Sequence, residues 1–139
     1  MPTLAEVAVQ NPNLSTFVLA VVAGGLTGAL RKDGNLTVFA PNNDAFSKVL
    51  EKIPNLLQTD TSDVLKAHIL PKRLLAKDLI DMMVAGFARV KTLSGEVMEV
   101  FLDGKSVKTR VNGREKSAIV KTADVLARNG VIHIIDRVM

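Results

Sequence analysis

The chain contains no cysteine, no tryptophan and no tyrosine. Without cysteine, disulfide frameworks, thiolate metal sites and cysteine nucleophiles are all excluded. Aromatic residues make up 4% of the chain and all are phenylalanine. Nucleic-acid modules stack bases on aromatic platforms, so this scarcity argues against a nucleic-acid partner. A long apolar run is missing too. The best stretch, residues 17–30, is broken by Gly24, Gly25, Thr27 and Gly28, and falls short of the roughly 20 residues that cross a bilayer. The start of the chain lacks the charged, apolar and cleavage regions of a signal peptide. For an exported protein, the expectation is that Met1-Pro2 stands where a leader has been removed.

What remains is a chain of 139 residues, 47% hydrophobic, with a mean hydropathy of +0.24. That length suits one domain burying roughly two thirds of its unfolded surface. The apolar share predicts a packed core rather than disorder, filled by aliphatic side chains. A net charge of +4 favours acidic partners: an anionic polysaccharide, a membrane surface or nucleic acid. A solvated Lys-rich surface is the plainer account of the same charge.

The first half reads as helices around one strand. Thr3 and Glu6 fit a capping box, and Asn11-Pro12 closes that helix and opens the next. Leu14, Phe17, Val18, Val21 and Val22 follow helical spacing and predict one buried stripe, stopped by Gly24 and Gly25. Residues 36–40 are rich in strand formers and predict a buried strand. Asn42, Asn43 and Asp44 then supply caps for a helix whose inner face is Phe46, Val49, Leu50 and Ile53, closed by Pro54. A further helix from Ser62 places Val64, Leu65, His68 and Ile69 on one side and ends at Pro71. Residues 77–84 form a last helical piece.

The second half changes period. Gly95, Gly104 and Gly113 mark turns, and Asp103-Gly104 and Asn112-Gly113 are two-residue hairpin signals. Residues 97–102 and 106–111 are the strands between them, with 119–121 and 131–138 following and Asn129-Gly130 as the turn before the last. The fold class is α+β, helices packed on a mainly antiparallel sheet, in one domain spanning residues 1–139.

Three segments in this order resemble the fasciclin I family. The ten residues from Thr37 to Phe46, TVFAPNNDAF, look like its first signature; Leu65-Lys66-Ala67-His68-Ile69-Leu70 looks like its central segment. The eight from Asn129 to Asp136, NGVIHIID, look like its closing signature. The motif residues are Thr37, Phe39, Pro41, Asn43, Asp44, His68, Gly130, His133 and Asp136. The resemblance implies a compact β-wedge flanked by helices, helical in its N-terminal half and β-rich in its C-terminal half. It also implies a non-enzymatic, extracytoplasmic module for cell adhesion or matrix binding, with no cofactor, working through a surface protein or anionic polysaccharide. Membrane anchoring elsewhere in the protein and weak self-association are in keeping with it. The family often carries Tyr before the central His, where this chain has Ala67. Asp124-Val125-Leu126 matches a second pattern linked in the family to integrin recognition; a turn or strand-edge Asp accounts for it more simply.

His68 and His133 are too few and too far apart for zinc, and read as buried, hydrogen-bonded residues. For His68 the expectation is that both ring nitrogens tie its helix to the first-signature strand. No G-x-S-x-G elbow occurs, and Gly24-Gly25-Leu26-Thr27-Gly28 lacks the spacing of a phosphate loop. Asn13-Leu14-Ser15 and Asn35-Leu36-Thr37 match the glycosylation pattern. Lys105, Lys108, Arg110, Arg114, Lys116 and Lys121 face a single acid, Glu115. Lys108 and Arg110 alternate with Val107, Thr109 and Val111, so both leave the sheet on one face. Such a ribbon suits a polyanion; a charged edge that resists aggregation gives the same pattern. The alternative function is a small-ligand binder with a groove between sheet and helices.

Overall fold

The computed structural model describes residues 2–32, 34–58, 60–111 and 117–138. Seven strands form one sheet in the order β2-β1-β7-β6-β5-β4-β3. They are β1 (Leu36–Pro41), β2 (Ile69–Leu70), β3 (Phe87–Lys91), β4 (Val97–Asp103), β5 (Ser106–Val111), β6 (Ala118–Ala127) and β7 (Gly130–Ile135). Only β1 and β7 run parallel among the named pairings; the rest are antiparallel. Among the described residues six α-helices accompany them: α1 (Leu4–Gln10), α2 (Ser15–Ala23), α3 (Thr27–Arg31), α4 (Asn43–Lys52), α5 (Ser62–Lys66) and α6 (Ala76–Asp81). The arrangement is α+β, with α1 to α5 in the first half of the chain and α6 in the second.

The parallel pair explains why both signatures read as unbroken apolar runs. A strand covered on both faces has no polar side to alternate with. Val38 and Ala40 of β1 and Ile132 and Ile134 of β7 pack with Leu14, Phe17 and Phe46 from the helices. Phe39 and Ile135 point the other way, into a second core with Leu70, Leu79, Met98, Val100 and Val111. The two strands are thus a wall between two cores. Phe17, Phe39 and Phe46 are each fully buried, which contributes about 2–3 kcal/mol apiece from burial alone.

Gly130 is required by the closeness of that pair. It sits opposite Leu36 in the register, and a Cβ there would lie 2.1 Å from the Leu36 carbonyl oxygen. Register then carries through Thr37–Val131 to Pro41–Ile135, so the strand portions of the two signatures meet along their full length.

Several sequence-based expectations are corrected. Val22 and Ile53 are exposed, at 64% and 54%, because α2 and α4 each bury a narrower face than the apolar spacing suggests. The helix from Ser62 ends at Lys66, and Ile69-Leu70 is instead an edge strand paired with Thr37 and Val38. Residues 77–84 are helical only as far as Asp81. β7 stops at Ile135 rather than at residue 138. β6 extends to Ala127, through two register shifts that disguise its period. The tight turns fall one residue away from the expected pairs: Asp103 pairs with Ser106 around Gly104-Lys105, and Ala127 with Gly130 around Arg128-Asn129. Gly104 is the first central residue of its turn, with φ +63°. β3, for which the sequence predicts no strand, follows a tight turn at Ala85-Gly86, both with positive φ, closed by a bridge between Val84 and Phe87. The Asn112-Gly113 turn, with Arg114, Glu115 and Lys116, lies outside the described residues.

Candidate functional site

The polar side chains of the signatures converge on one irregular segment, residues 72–76, between β2 and α6. Thr37 Oγ1 donates to the Lys72 carbonyl at 2.6 Å and accepts from the Leu74 amide at 2.7 Å. His133 Nε2 lies 2.8 Å from the Leu74 carbonyl and therefore carries the ring proton. Its Nδ1 accepts from the Asp124 amide at 3.2 Å. The Asp124 carboxylate in turn accepts from the Ala76 amide at 2.8 Å, at the start of α6. A loop that would leave buried amides and carbonyls unpaired is thereby satisfied by three strands. Asp124 sits at φ +60° within a bulged stretch of β6, which aims its amide at the imidazole and its carboxylate at the helix.

His133 is 1% exposed, and Phe39 packs its ring 5.2 Å away. Burial pushes the imidazole below its ordinary value, opposed by its bond to Leu74 and by the charge of Asp124. The ring is neutral, with both nitrogens used. It is a structural cross-link rather than a proton carrier open to solvent.

The other signature residues also work inward. Asn43, at the start of α4, accepts from Ser15 Oγ and the Thr16 amide and donates to the Pro12 carbonyl. It caps α2 while Asn42 caps α4 through the Ala45 amide at 2.9 Å. Asp44 is exposed in the first turn of α4, where a carboxylate is favoured by the helix dipole. Asp136 Oδ1 accepts from the Ile119 amide at 2.8 Å, closing the start of β6 onto the end of β7. His68 Nδ1 bonds the Val64 carbonyl at 2.7 Å, within its own turn. A tie to the first-signature strand runs through the backbone, from the Phe39 amide to the His68 carbonyl. Thr3 accepts from the Glu6 amide, but Glu6 answers through the Thr3 hydroxyl rather than the amide, so the capping box is half formed.

Asn129 was read as a turn residue and proves to be a hub. Its side chain is 3% exposed as part of a buried residue. It accepts from the Leu4 amide and donates to the Leu30 and Lys32 carbonyls. The sequence signal was present in the amide side chain, which both accepts and donates, but a turn claims Asn equally well.

Lys108 and Arg110 do share a face, with Phe87, Arg89, Glu99 and Phe101 across the register. They are not bare cations. Lys108 pairs with Asp103 at 2.6 Å, and Arg110 and Arg89 both bond Glu99, at 3.1 and 3.3 Å. Arg110 lies over the rings of Phe101 and Phe87, at 5.3 and 5.8 Å. The result is a guanidinium–phenyl layer with a buried carboxylate beneath it. Glu99 was missed because an acid in a strand reads as solvent-facing. Of the triplet Asp124-Val125-Leu126, the first is exposed yet bonded to the start of α6, the second packs against the helical core and Leu126 is exposed.

An apolar cleft of about 320 Å³ opens among α1, α2 and α3, lined by Ala8, Val18, Val21 and Leu30 with Glu6 and Arg31 at its rim. It lies between helices, not between sheet and helices as the small-ligand alternative expected. Among the described residues no group of three metal-ligating side chains occurs, and no helix is long and apolar enough to cross a membrane.

The fasciclin domain family model matches residues 12–139. The chain belongs to the fasciclin domain family. A Synechocystis protein, sll1483, is 38% identical over 142 residues, spanning 99% of this chain and 72% of its own length. Transforming growth factor-beta-induced protein ig-h3 of Sus scrofa is 37% identical over 127 residues. This fasciclin domain spans 17% of that relative's length, and 14% of human periostin, to which it is 33% identical. A solved FAS1 domain pair from the insect cell adhesion molecule fasciclin I superposes with a TM-score of 0.77 at 24% identity, covering 94% of this chain and 46% of that one. Fasciclin domains occur in adhesion and extracellular matrix proteins.

Proposed function

We propose that this fasciclin domain, taking in residues 1–139 as one unit, is a non-enzymatic adhesion or matrix-binding module that acts outside the cytoplasm through contacts on its exterior. The observation that carries the reading is the inward use of the signature chemistry. Thr37, Asn43, Asp124, Asn129, His133 and Asp136 are all bonded within the fold. The outer face of β3, β4 and β5 supports contact with a surface protein. Arg and Phe are enriched in protein interfaces, and here Arg110 is one-third exposed above two half-buried rings. An acidic segment suits it, since Arg89, Lys91, Lys108 and Arg110 outnumber Glu99 and Asp103. Lys108 and Arg110 are the contact residues proposed there.

The test is adhesion of matrix-coated beads to a surface bearing the purified domain, in the wild type and in Lys108→Ala/Arg110→Ala. Saturable adhesion, weakened in the double variant while the fold is kept, is the expected result. Equal adhesion to a surface bearing unrelated protein would overturn the reading.

A further inference from the structure

Two arginines on the β3–β4–β5 face share a single acid. Arg89 and Arg110 stand directly opposite Glu99 on the two neighbouring strands. Arg89 turns its Nε to Oε2 of the acid at 3.3 Å, and Arg110 turns its Nε to Oε1 at 3.1 Å. One carboxylate, its side chain 7% exposed, therefore holds both guanidiniums beside each other. The Phe87 ring centre lies 5.2 Å from the guanidinium carbon of Arg89 and 5.8 Å from that of Arg110. The rings of Phe87 and Phe101 pack 5.6 Å apart. Each arginine is thus fixed by an acid at its Nε and by a phenyl ring against its guanidinium.

This anchoring leaves the far end of each side chain open. A guanidinium carries five N–H donors, and Nε supplies one of them. Among the described residues no hydrogen bond engages the Nη groups of Arg89 or Arg110. Their side chains are 56% and 33% exposed. The paired Nη groups of an arginine form a planar fork that matches a carboxylate in bidentate geometry. Anchoring also matters energetically, because a side chain already held in place loses less freedom when a ligand arrives.

We propose that Arg89 and Arg110 form a two-pronged clamp for the side-chain carboxylates of an acidic peptide segment on a partner protein, with Glu99 as its positioning residue. The inference rests on the surface-contact reading above and deepens it, adding Arg89 and Glu99 to that face and naming the groups it holds. Lys108 is outside the clamp, since Asp103 takes its ammonium at 2.6 Å. A protein segment is favoured because arginine set among half-buried phenyl rings is the make-up of protein interfaces, where charge is recognised beside apolar contact.

The test is fluorescence anisotropy of a labelled peptide of alternating glutamate and serine, titrated with the purified domain over a salt series. The matching glutamine–serine peptide, a phosphoserine peptide and heparin serve as comparison arms. Arg89→Lys/Arg110→Lys keeps the charge and removes both forks. Glu99→Gln raises the net charge by one and leaves a single side-chain oxygen to accept from two arginines. Lys48→Ser/Lys52→Ser, on exposed positions of α4, is the control. Thermal melts check that each variant is folded, and the lysine variant decides alone if Glu99→Gln is not.

The expected result is salt-sensitive binding of the glutamate peptide and none of the glutamine peptide. Binding should weaken about fivefold or more in Arg89→Lys/Arg110→Lys, as for the loss of two exposed charged contacts, and stay unchanged in the control. Glu99→Gln should weaken it too, although attraction by net charge alone would strengthen it. Full affinity in the lysine variant, or equal or tighter binding in Glu99→Gln, would overturn the clamp. Binding of heparin or the phosphoserine peptide without the glutamate peptide would overturn the ligand class. Bead adhesion that persists while the glutamate peptide fails to bind would overturn this inference and leave the adhesion reading standing. Peptide binding without bead adhesion would do the reverse.

Discussion

The backbone amide of Asp124 donates to His133 Nδ1 at 3.2 Å, joining a bulge in β6 to the ring of a fully buried histidine in β7. Because Nε2 already gives its proton to Leu74, a second proton on the ring would set donor against donor.

Stability should therefore fall in mild acid. The unfolded chain takes up a proton on His133 near the ordinary value of about 6.5, while the folded chain resists, its value being lowered by burial. The unfolded state binds more protons in that window, so the contribution is complete above pH 6.5 and is lost as pH drops through the folded value. The slope is at most about 1.4 kcal/mol per pH unit. Urea unfolding from pH 8 to pH 5 measures it. A His133→Gln variant should be less stable at pH 8 and show a flatter profile; identical slopes would remove His133 from the account.

Two glycines should respond in opposite directions to alanine. At Gly130 the new Cβ would meet the Leu36 carbonyl at 2.1 Å, and neither strand can retreat from a wall packed on both sides. Gly130→Ala is expected to cost about 4 kcal/mol or more, or to abolish folding. Gly28, inside α3, has nothing within 4 Å of the built position. Gly28→Ala should stabilise by roughly 0.5–1 kcal/mol. Thermal melts of both variants decide the matter.

Removing the Asn129 side chain should be costly for a residue at a turn. The Leu4 amide and the carbonyls of Leu30 and Lys32 would each lose a partner. A loss of about 2–4 kcal/mol is expected for Asn129→Ala. Asn129→Asp should fail to rescue it, because a carboxylate cannot donate to the two carbonyls. Recovery of the wild-type melting temperature by Asp would show that only the Leu4 contact matters.

The two acids of the basic face should behave differently. Glu99 is 5% exposed and holds both Arg89 and Arg110; Glu99→Ala should cost about 1–3 kcal/mol. Asp103 is held below the usual carboxylate range by its bond to Lys108, yet it is solvent-exposed, so Asp103→Asn should leave the melting temperature unchanged. Equal effects would mean that the carboxylate under the rings is not the anchor of that layer.

Much of the fold was legible because the strongest signals coincide with the strongest constraints. Residues 36–40 read as a buried strand and 131–138 as a strand because both faces of β1 and β7 are covered. Asn42 read correctly as the cap of α4, whereas Asn43, expected to cap the same helix, bonds the start of α2. The α+β class and the hairpin of β4 and β5 followed in the same way. What was hidden had physical reasons. β2 is two residues long and borrows its order from β1. The register shifts in β6 break its alternation around Asp124. Val22 and Ile53 are apolar yet exposed, a choice that helical period cannot reveal. For the site, Lys108 and Arg110 were placed on the correct face, but their neutralising partners come from β4, and pairing across strands is invisible in a linear reading. Asn129 and Glu99 were missed because their partners lie far away in sequence.

Amide hydrogen exchange at Leu74 and Ala76 tests the inward role of the signatures most directly. Both residues precede or open α6, and neither lies in a strand, yet Thr37 and Asp124 accept their amides. Protection approaching that of the β1 amides, and lost at Leu74 in Thr37→Val, is the predicted outcome. Exchange at both positions as fast as in an open surface loop would show that Thr37, Asp124 and His133 do not pin this segment, and would return those side chains to the pool of groups available for chemistry.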